Sequence, residues 1–378
     1  MEKSFLNLTI YPYYNVMNIL TCLINKNPDK IEKICIGKTH FGYDINCYKI
    51  GHGKNNIIIF SATHGNETIT VNFALEFMCS LLYDNNLSCL LEEFSFYIIP
   101  ILNIESYIIS CNNVYENTKK LTKIEFENLC KKYLEAYNFD DLQAINENCT
   151  FGTKKSYQYI LNSSLDNIDN IHIKNSVKQI LKNCKLDESI LPVFAANGLG
   201  FDINSNSIHK FSEMKLLRQK QKCANLRYNN IPVTIPSPMS YPGREVFDKS
   251  VIENFILYNF IMKLYKTKNI KYIFSFHSTG GEIYGVPDIK YASLNQMQIH
   301  KTASDIYSKI TSYTQINEKL KYGIMDFYRI ALEGTVSLTI ELSKINANPI
   351  GPFSNLENLN YEFILNKNAI INVITNKS

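Results

Sequence analysis

The feature that most constrains the fold of this chain is an apolar run that ends abruptly at a polar turn. Ile57 to Phe60 are all large and apolar, and His64-Gly65-Asn66-Glu67 follows after three small residues. A run of this kind is typical of a strand that is buried on both faces. The segment from Thr68 to Leu82 has apolar residues near helical spacing, so His64 and Glu67 lie where a buried strand passes into a helix.

This position and these residue types suit a metal ion. The end of a buried strand is a common place for a functional site. A neutral imidazole and a carboxylate three residues apart, His64 and Glu67, can occupy two positions around a tetrahedral zinc ion. One position is then left for a distant histidine and one for water. Because His-x-x-Glu pairs also arise by chance, the hypothesis requires a further ligand elsewhere in the chain.

A second histidine follows a second apolar strand. The run from Ile270 to Phe276 ends on His277-Ser278-Thr279-Gly280-Gly281, where the glycines allow the backbone to approach a ligand. His64, Glu67 and His277 together offer two nitrogens and one oxygen, the open ligand set of hydrolytic zinc sites. We therefore predict one zinc ion per chain.

A carboxylate within a third apolar run is the candidate general base. Glu341 lies inside the predicted strand from Val336 to Leu342, and a carboxylate there needs a partner or a role. Because Glu67 is used as a ligand, the base that deprotonates the attacking water must come from elsewhere, and Glu341 is the best placed candidate. The alternative is that Glu341 faces solvent on an alternating strand.

Composition excludes several classes of protein. The chain has 378 residues, 45% of them hydrophobic, and a net charge of +4 with no basic patch, which argues against nucleic acid as a partner. The ten cysteines are spread singly, as expected for reduced thiols in the cytoplasm. We find no secretory leader at the N-terminus and no apolar run long enough for a membrane span. The sequence predicts a cytoplasmic protein without a membrane partner, and it leaves the oligomeric state open.

The order of the predicted elements indicates a single α/β domain over residues 1–378. The strand at Ile57, the helix after Glu67 and the apolar run from Phe94 to Leu102 form a parallel strand-helix-strand unit. Between residues 104 and 190, helical fragments alternate with Asn-rich connectors, which predicts a helical insertion packed on the main domain. A lid or a wall of the substrate site is the functional alternative for this segment.

Five short motifs resemble those of the M14 zinc carboxypeptidase family, and the likeness extends over most of the chain outside residues 104–190. They are Thr63-His64-Gly65-Asn66-Glu67, Phe276-His277-Ser278, Leu338-Thr339-Ile340-Glu341-Leu342, Gly200-Phe201-Asp202-Ile203-Asn204 and Tyr241-Pro242-Gly243. The resemblance implies a mixed, largely parallel sheet of about eight strands sandwiched by helices, and a zinc metallopeptidase acting on a peptide. It also implies that Asn204, Ser278 and Tyr313 bind substrate, with Tyr322 as the alternative tyrosine.

The finer placement is with one bacterial branch. Residues 276–284 and Asp326-Phe327 are similar to the γ-D-glutamyl-L-diamino acid endopeptidases, which implies a muropeptide substrate from peptidoglycan. Two arginines that are usual in the family are replaced, one by Leu199 and one by Ser205. The first normally polarises the scissile carbonyl and the second holds a terminal carboxylate.

These replacements lead to the expectation that ordinary C-terminal residues are poor substrates. The expectation holds unless Lys210, Arg218 or Arg244 folds into the site.

Two other functions remain open at this stage. The aspartoacylase and succinylglutamate desuccinylase branch also carries His-Gly-Asn-Glu and removes small acyl groups from amino acids. The replaced arginines are also compatible with a catalytically inactive protein that binds zinc or peptide. Turnover on peptides, N-acyl amino acids and muropeptides distinguishes the three functions.

Overall fold

The computed structural model of the protein describes residues 10–129, 131–132, 161–213, 215–216, 234–239, 241–316, 323–343 and 356–376. Within these ranges the strands are β1 (Ile31–Lys38), β2 (Asp44–Ile50), β3 (Asn55–Phe60), β4 (Phe94–Ile99), β5 (Asn269–Ser278), β6 (Glu282–Tyr284), β7 (Thr314–Gln315) and β8 (Val336–Leu342). The α-helices within these ranges include α1 (Tyr13–Lys26), α2 (Thr68–Tyr83), α3 (Ser88–Glu93), α4 (Ile104–Thr118), α5 (Ile171–Cys184), α6 (Ile252–Thr267), α7 (Leu294–Thr311), α8 (Ile324–Ala331) and α9 (Leu356–Thr375).

The described strands form one mixed sheet of eight, in the order β1-β2-β4-β3-β5-β8-β6-β7. The central pairings β4-β3, β3-β5 and β5-β8 are parallel, as is β6-β7. The pairings β1-β2, β2-β4 and β6-β8 are antiparallel. The predicted mixed α/β sheet with packed helices is confirmed.

The apolar runs of the sequence occupy the centre of this sheet. Every residue of β4 is buried, and so is every residue of β3 after Asn55. The helix α2, which joins these two parallel strands, is buried along almost its whole length. Because β3, β5 and β8 run parallel, their carboxyl ends lie at the same edge of the sheet, and this edge carries the candidate site.

The segment from residue 104 to 190 begins with a helix that packs into the core. The Tyr107 hydroxyl on α4 donates to the carbonyl oxygen of Tyr11 at 2.6 Å, and the Ser106 hydroxyl donates to that of Phe194 at 3.0 Å. On α5, the buried apolar residues share one face of the helix. Residues 133–160 lie outside the described ranges, and the insertion over 104–190 stays a prediction. Among the described helices, none has both the length and the apolar character needed to cross a membrane.

Candidate active site

Two histidines and one glutamate converge at the carboxyl ends of β3 and β5. His64 and Glu67 lie in the turn between β3 and α2, and His277 is the penultimate residue of β5. The two strands are adjacent and parallel, so their ends meet. Each of the three side chains offers a ligand atom within 4.8 Å of the others. The structure thus brings together the three residues that the sequence predicts as metal ligands.

The turn that carries His64 and Glu67 packs tightly against α4. The Gly65 amide donates to the hydroxyl of Ser106 at 3.0 Å. A Cβ atom at position 65 would lie 2.1 Å from both the carbonyl carbon of Ser106 and the nitrogen of Tyr107. Backbone atoms cannot yield to this contact, so only glycine permits the approach that places both ligands.

Glu67 lies between the two imidazoles. Its Oε1 is 2.8 Å from Nδ1 of His64, and its Oε2 is 3.1 Å from Nδ1 of His277. Burial alone would raise the pKa of Glu67, but the two neighbouring rings outweigh it and lower that pKa to about 2. The carboxylate is therefore ionised, which is the form that binds a metal ion.

The donor set fits zinc. Zinc binds imidazole nitrogen and carboxylate oxygen at about 2.0–2.2 Å, so donors within 4.8 Å of one another can share one ion. Nε2 of His64 lies 3.3 Å from Oδ1 of Asp202. When Nε2 carries the proton and donates to Asp202, the lone pair of Nδ1 faces Glu67 and is available to the metal.

Asp202 is a site residue that the sequence-based prediction missed. Ser205 holds it, since its amide donates to Oδ1 of Asp202 at 3.2 Å and its hydroxyl donates to Oδ2. Ser205 stands where the family resemblance would place an arginine. It is fully buried, and it supports the carboxylate that orients His64. One feature of the sequence could have identified Asp202 as a site residue, because it is the charged residue of the Gly200–Asn204 motif.

Glu341 lies beside the candidate metal ligands. On β8 it is aligned with His277 of β5 on one side and with Glu282 of β6 on the other. Aligned residues on neighbouring strands project from the same face, so the three side chains form a row with Glu341 in the middle. Successive members of such a row are about 4.8 Å apart along the hydrogen-bonding direction. Glu282 was not predicted as a site residue.

The predicted substrate-binding residues have different surroundings. Ser278 follows His277 directly, and its buried hydroxyl has no hydrogen-bond partner among the described residues. Its peptide bond to Thr279 is cis. The side-chain oxygen of Asn204 accepts the amide hydrogen of Ile324 at 3.3 Å. Asn204 therefore contacts the start of α8.

Tyr313 is only 2% exposed and lies in a buried polar network. Its hydroxyl donates to Glu362 of α9 and accepts from the Ser343 amide at 2.9 Å and the Asn366 side chain at 3.1 Å. The structure thus places Tyr313 in the packing between α9 and the end of β8, and not with the residues that converge on Glu67. Tyr322, the alternative tyrosine, lies outside the described residues.

Two basic residues that could hold an anion, Arg329 and Lys210, have contacts of their own. Arg329 is 2% exposed, and its guanidinium donates to Asp326 at 2.6 Å, to the Tyr284 carbonyl at 2.7 Å and to the Ser337 carbonyl at 2.9 Å. It therefore joins α8, β6 and β8. The Lys210 ammonium lies 4.6 Å from the centroid of the Tyr291 ring.

Arg244 and Arg218 are the two remaining candidates for an anion-binding cation. Arg244 is exposed on a surface loop, and Arg218 lies outside the described residues.

Comparison with known proteins gives one consistent result. The family model described as Zinc carboxypeptidase matches residues 16–148. Carboxypeptidase B2 of Bos taurus is 30% identical over 106 residues, a match that covers 26% of this chain and 24% of that relative's length. The resemblance to the zinc carboxypeptidases is confirmed, whereas the γ-D-glutamyl branch is not.

Solved structures share the fold at low sequence identity. Bovine thrombin-activatable fibrinolysis inhibitor, in complex with tick carboxypeptidase inhibitor, has a TM-score of 0.55 at 17% identity, with 97% of this chain and 96% of that chain covered. Carboxypeptidase A from Helicoverpa armigera has a TM-score of 0.58 at 15% identity, with 97% and 73% covered. A metallo-carboxypeptidase from Burkholderia cenocepacia has a TM-score of 0.51 at 11% identity, with 96% and 69% covered.

Proposed function

We propose that this chain, which has the fold of the zinc carboxypeptidases and matches their family model over residues 16–148, is a zinc-dependent metallopeptidase that hydrolyses an amide bond of a peptide. The observation that carries the proposal is the convergence of His64, Glu67 and His277 with Glu341 aligned beside them. Two imidazoles, one carboxylate ligand and a separate carboxylate base are the side chains that this hydrolysis requires.

Each of these side chains has a distinct role. His64, Glu67 and His277 would hold one zinc ion per chain, which supplies the Lewis-acid chemistry that activates water and polarises the scissile carbonyl. Glu341 accepts the proton of the attacking water and passes it to the leaving nitrogen. Asp202 fixes the ring of His64 through Nε2, so that Nδ1 stays directed at Glu67.

The substrate class that we propose is a cell-wall peptide with a γ-D-glutamyl-diamino acid linkage. Leu199 and Ser205 stand where arginines are usual, and Ser205 is bound to Asp202. A terminal carboxylate without a guanidinium loses a charge-assisted contact worth about 1.5–3 kcal/mol, which is roughly ten- to a hundredfold in affinity. Plain C-terminal amino acids are therefore poor substrates. Asn204 and Ser278 contact the substrate, and the segment 104–190 forms part of the wall around it.

We propose that the protein is cytoplasmic, and the state of its described thiols supports this location. The seven cysteines that the structure describes are all free, and reduced thiols are usual in that compartment.

A second candidate function is binding without turnover. The same two replacements remove a donor that would polarise the scissile carbonyl, and Arg329, which could have supplied a guanidinium, is used within the core. On this alternative the protein holds zinc and peptide but does not release product.

The deciding experiment measures turnover of the zinc-loaded protein on three kinds of substrate. These are hippuryl-type peptides with a plain C-terminal amino acid, γ-D-glutamyl-diaminopimelate peptides, and N-acyl amino acids. We expect the second kind to be cleaved most efficiently. Efficient release of plain C-terminal residues contradicts the substrate proposal, and preferential cleavage of N-acyl amino acids favours an aspartoacylase-like activity. Zinc binding without turnover on any of the three favours the binding protein.

A further inference from the structure

The strand that carries Glu341 ends at a residue with a rare backbone conformation. Ser343 is the first residue after β8 and the second after Glu341, and its φ of +66° lies in the left-handed region, which serine seldom adopts. It is also buried. Such a conformation persists only where neighbouring groups hold it in place. The hydrogen bonds of Ser343 therefore decide how β8 ends.

The main chain of Ser343 joins two other parts of the protein. Its carbonyl oxygen accepts the amide hydrogen of Gly280 at 2.9 Å, which continues the link between β5 and β8 beyond the aligned pair of His277 and Glu341. Its amide donates to the hydroxyl of Tyr313 at 2.9 Å. The strand ends that carry a candidate ligand and the candidate base thus meet at Ser343, and Tyr313 holds this junction.

The hydroxyl of Tyr313 uses its whole hydrogen-bonding capacity. It accepts from the Ser343 amide and, at 3.1 Å, from the Asn366 side chain, so both lone pairs are occupied and its proton is left for Glu362. Burial and the charge of Glu362 raise the pKa of this hydroxyl well above its usual value, so it keeps that proton. The carbonyl oxygen of Tyr313 accepts from the Ser308 hydroxyl at 2.7 Å. Tyr313 is therefore a rigid support at the end of β8.

Tyr307 belongs to the same network and shows what packing alone requires. It is fully buried, and its hydroxyl donates to Oδ1 of Asn366 at 2.7 Å, which joins α7 to α9. Tyr313 also bonds to Asn366, but it makes the additional bond to Ser343. This additional bond is the one through which a tyrosine of the network can act on the position of Glu341.

We propose that Tyr313 is a positioning residue for the candidate base, because its hydroxyl holds Ser343 and Ser343 fixes Glu341 relative to His277. The inference rests on the proposed peptidase function and deepens it, since a general base must lie within hydrogen-bond reach of the proton that it accepts. A displacement of about 1 Å can lower turnover about a hundredfold. Tyr313 acts through Ser343 and not on the substrate itself.

The first test compares two variants that each remove one buried hydroxyl and keep the ring, Tyr313→Phe and its matched control Tyr307→Phe. Each leaves Asn366 without one of its partners. In Tyr313→Phe we expect the kcat of the zinc-loaded protein to fall about tenfold or more, with KM and zinc affinity unchanged. In Tyr307→Phe we expect kcat to stay within about twofold of the wild-type value. An equal fall in both variants, or no fall in Tyr313→Phe, overturns the proposal.

Amide hydrogen exchange tests the same role without turnover. Mass spectrometry with single-residue fragmentation follows the amides of Ser343 and Gly280 in the zinc-loaded protein, and β4 serves as the reference for global opening. We expect both amides to be protected in the wild type. Relative to β4, their exchange should be about tenfold faster or more in Tyr313→Phe and unchanged in Tyr307→Phe.

The exchange data also separate this proposal from the proposed function. An unprotected Ser343 amide in the wild type overturns the role of Tyr313, even if Tyr313→Phe does not fold. Equal exchange of that amide in the two variants overturns it as well. Absence of hydrolysis by the wild type contradicts the peptidase function, while the exchange rates still decide whether Tyr313 holds the end of β8.

Discussion

Glu341 is the residue whose replacement tests the chemistry most directly. In Glu341→Gln the amide has nearly the same shape but cannot accept the proton of the attacking water. We expect turnover to fall by about 10²- to 10⁴-fold while zinc content and the thermal unfolding midpoint stay unchanged. Steady-state kinetics, metal analysis and thermal unfolding measure the three quantities, with Glu92→Gln as the control for charge. Unchanged turnover would assign the base to another residue.

His300 is a buried residue that should make stability depend on pH. Its Nδ1 donates to the Gln296 carbonyl at 2.8 Å, and its Nε2 accepts the Ser337 amide hydrogen at 2.9 Å, so the neutral ring satisfies both partners. Burial and the nearby charge of Arg329 lower the pKa of His300 from 6.5 to about 4. A second proton would have to enter at Nε2, where the Ser337 amide already points.

The sign of the effect follows from these two pKa values. Because the unfolded chain takes up the proton near pH 6.5 and the folded protein only near pH 4, the full stability is present above pH 6.5 and is lost as the pH falls towards 4. The full loss attributable to His300 is about 3 kcal/mol, of which about 2 kcal/mol falls between pH 7 and pH 5. Urea unfolding at pH 5 and pH 7 measures that part of the loss. His300→Gln should lose less stability between the two values than the wild type, and equal losses would disprove the assignment.

At the scale of elements, the turn from β3 into α2 depends on its contact with α4. Gly65→Ala should lower the free energy of unfolding by about 3 kcal/mol or more and weaken zinc binding, because its Cβ meets the backbone of Ser106 and Tyr107. Gly42→Ala is the control, since Gly42 has a φ of +86° and nothing within 4 Å of an added Cβ. That variant should cost only about 1–2 kcal/mol of backbone strain and keep full zinc affinity. Denaturant unfolding and zinc titration compare the two.

The elements that the sequence predicts well are those with strong local patterns. The strands β3, β4, β5 and β8 and the helix α2 are apolar runs long enough to be recognised individually, and His64, Glu67, His277 and Glu341 lie in or next to them. Asp248 is of a residue type that often begins a helix, yet α6 begins only at Ile252. The reason is that Asp248 closes a turn, in which its side chain accepts from the amides of Arg244 and Ser250.

Features that depend on distant partners could not be predicted in this way. β6 has three residues and β7 has two, so neither has a recognisable pattern, and the alignment of Glu282 with Glu341 arises only when the sheet forms. The family resemblance predicts Tyr313 as a residue that binds substrate. Its hydroxyl instead bonds to Glu362 and Asn366 on the last helix, and no local signal indicates that contact.

For the whole molecule, zinc should contribute to stability. The candidate ligands come from the turn after β3 and from β5, and they meet only in the folded protein. An ion that binds only the folded state stabilises it by about 4 kcal/mol when free zinc exceeds its Kd a thousandfold. Removal of zinc by a chelator should lower the thermal midpoint, and added zinc should restore it. His277→Ala should lose the ion and show no response to either treatment. A variant that retains zinc like the wild type would show that His277 is not a ligand.

The two outer strands of the sheet have a consequence for how a peptide can approach the protein. β1 has a register irregularity between Cys35 and Gly37 and exposes Glu32, Lys33 and Lys38, while β7 has only two residues. Edge strands that are irregular, charged or very short are poor templates for pairing with another extended chain. An incoming peptide therefore gains little from main-chain pairing with β1 or β7, and its recognition depends on the carboxyl ends of the central strands. For the same reason, these edge strands should protect concentrated solutions of the protein from aggregation by edge-to-edge strand pairing.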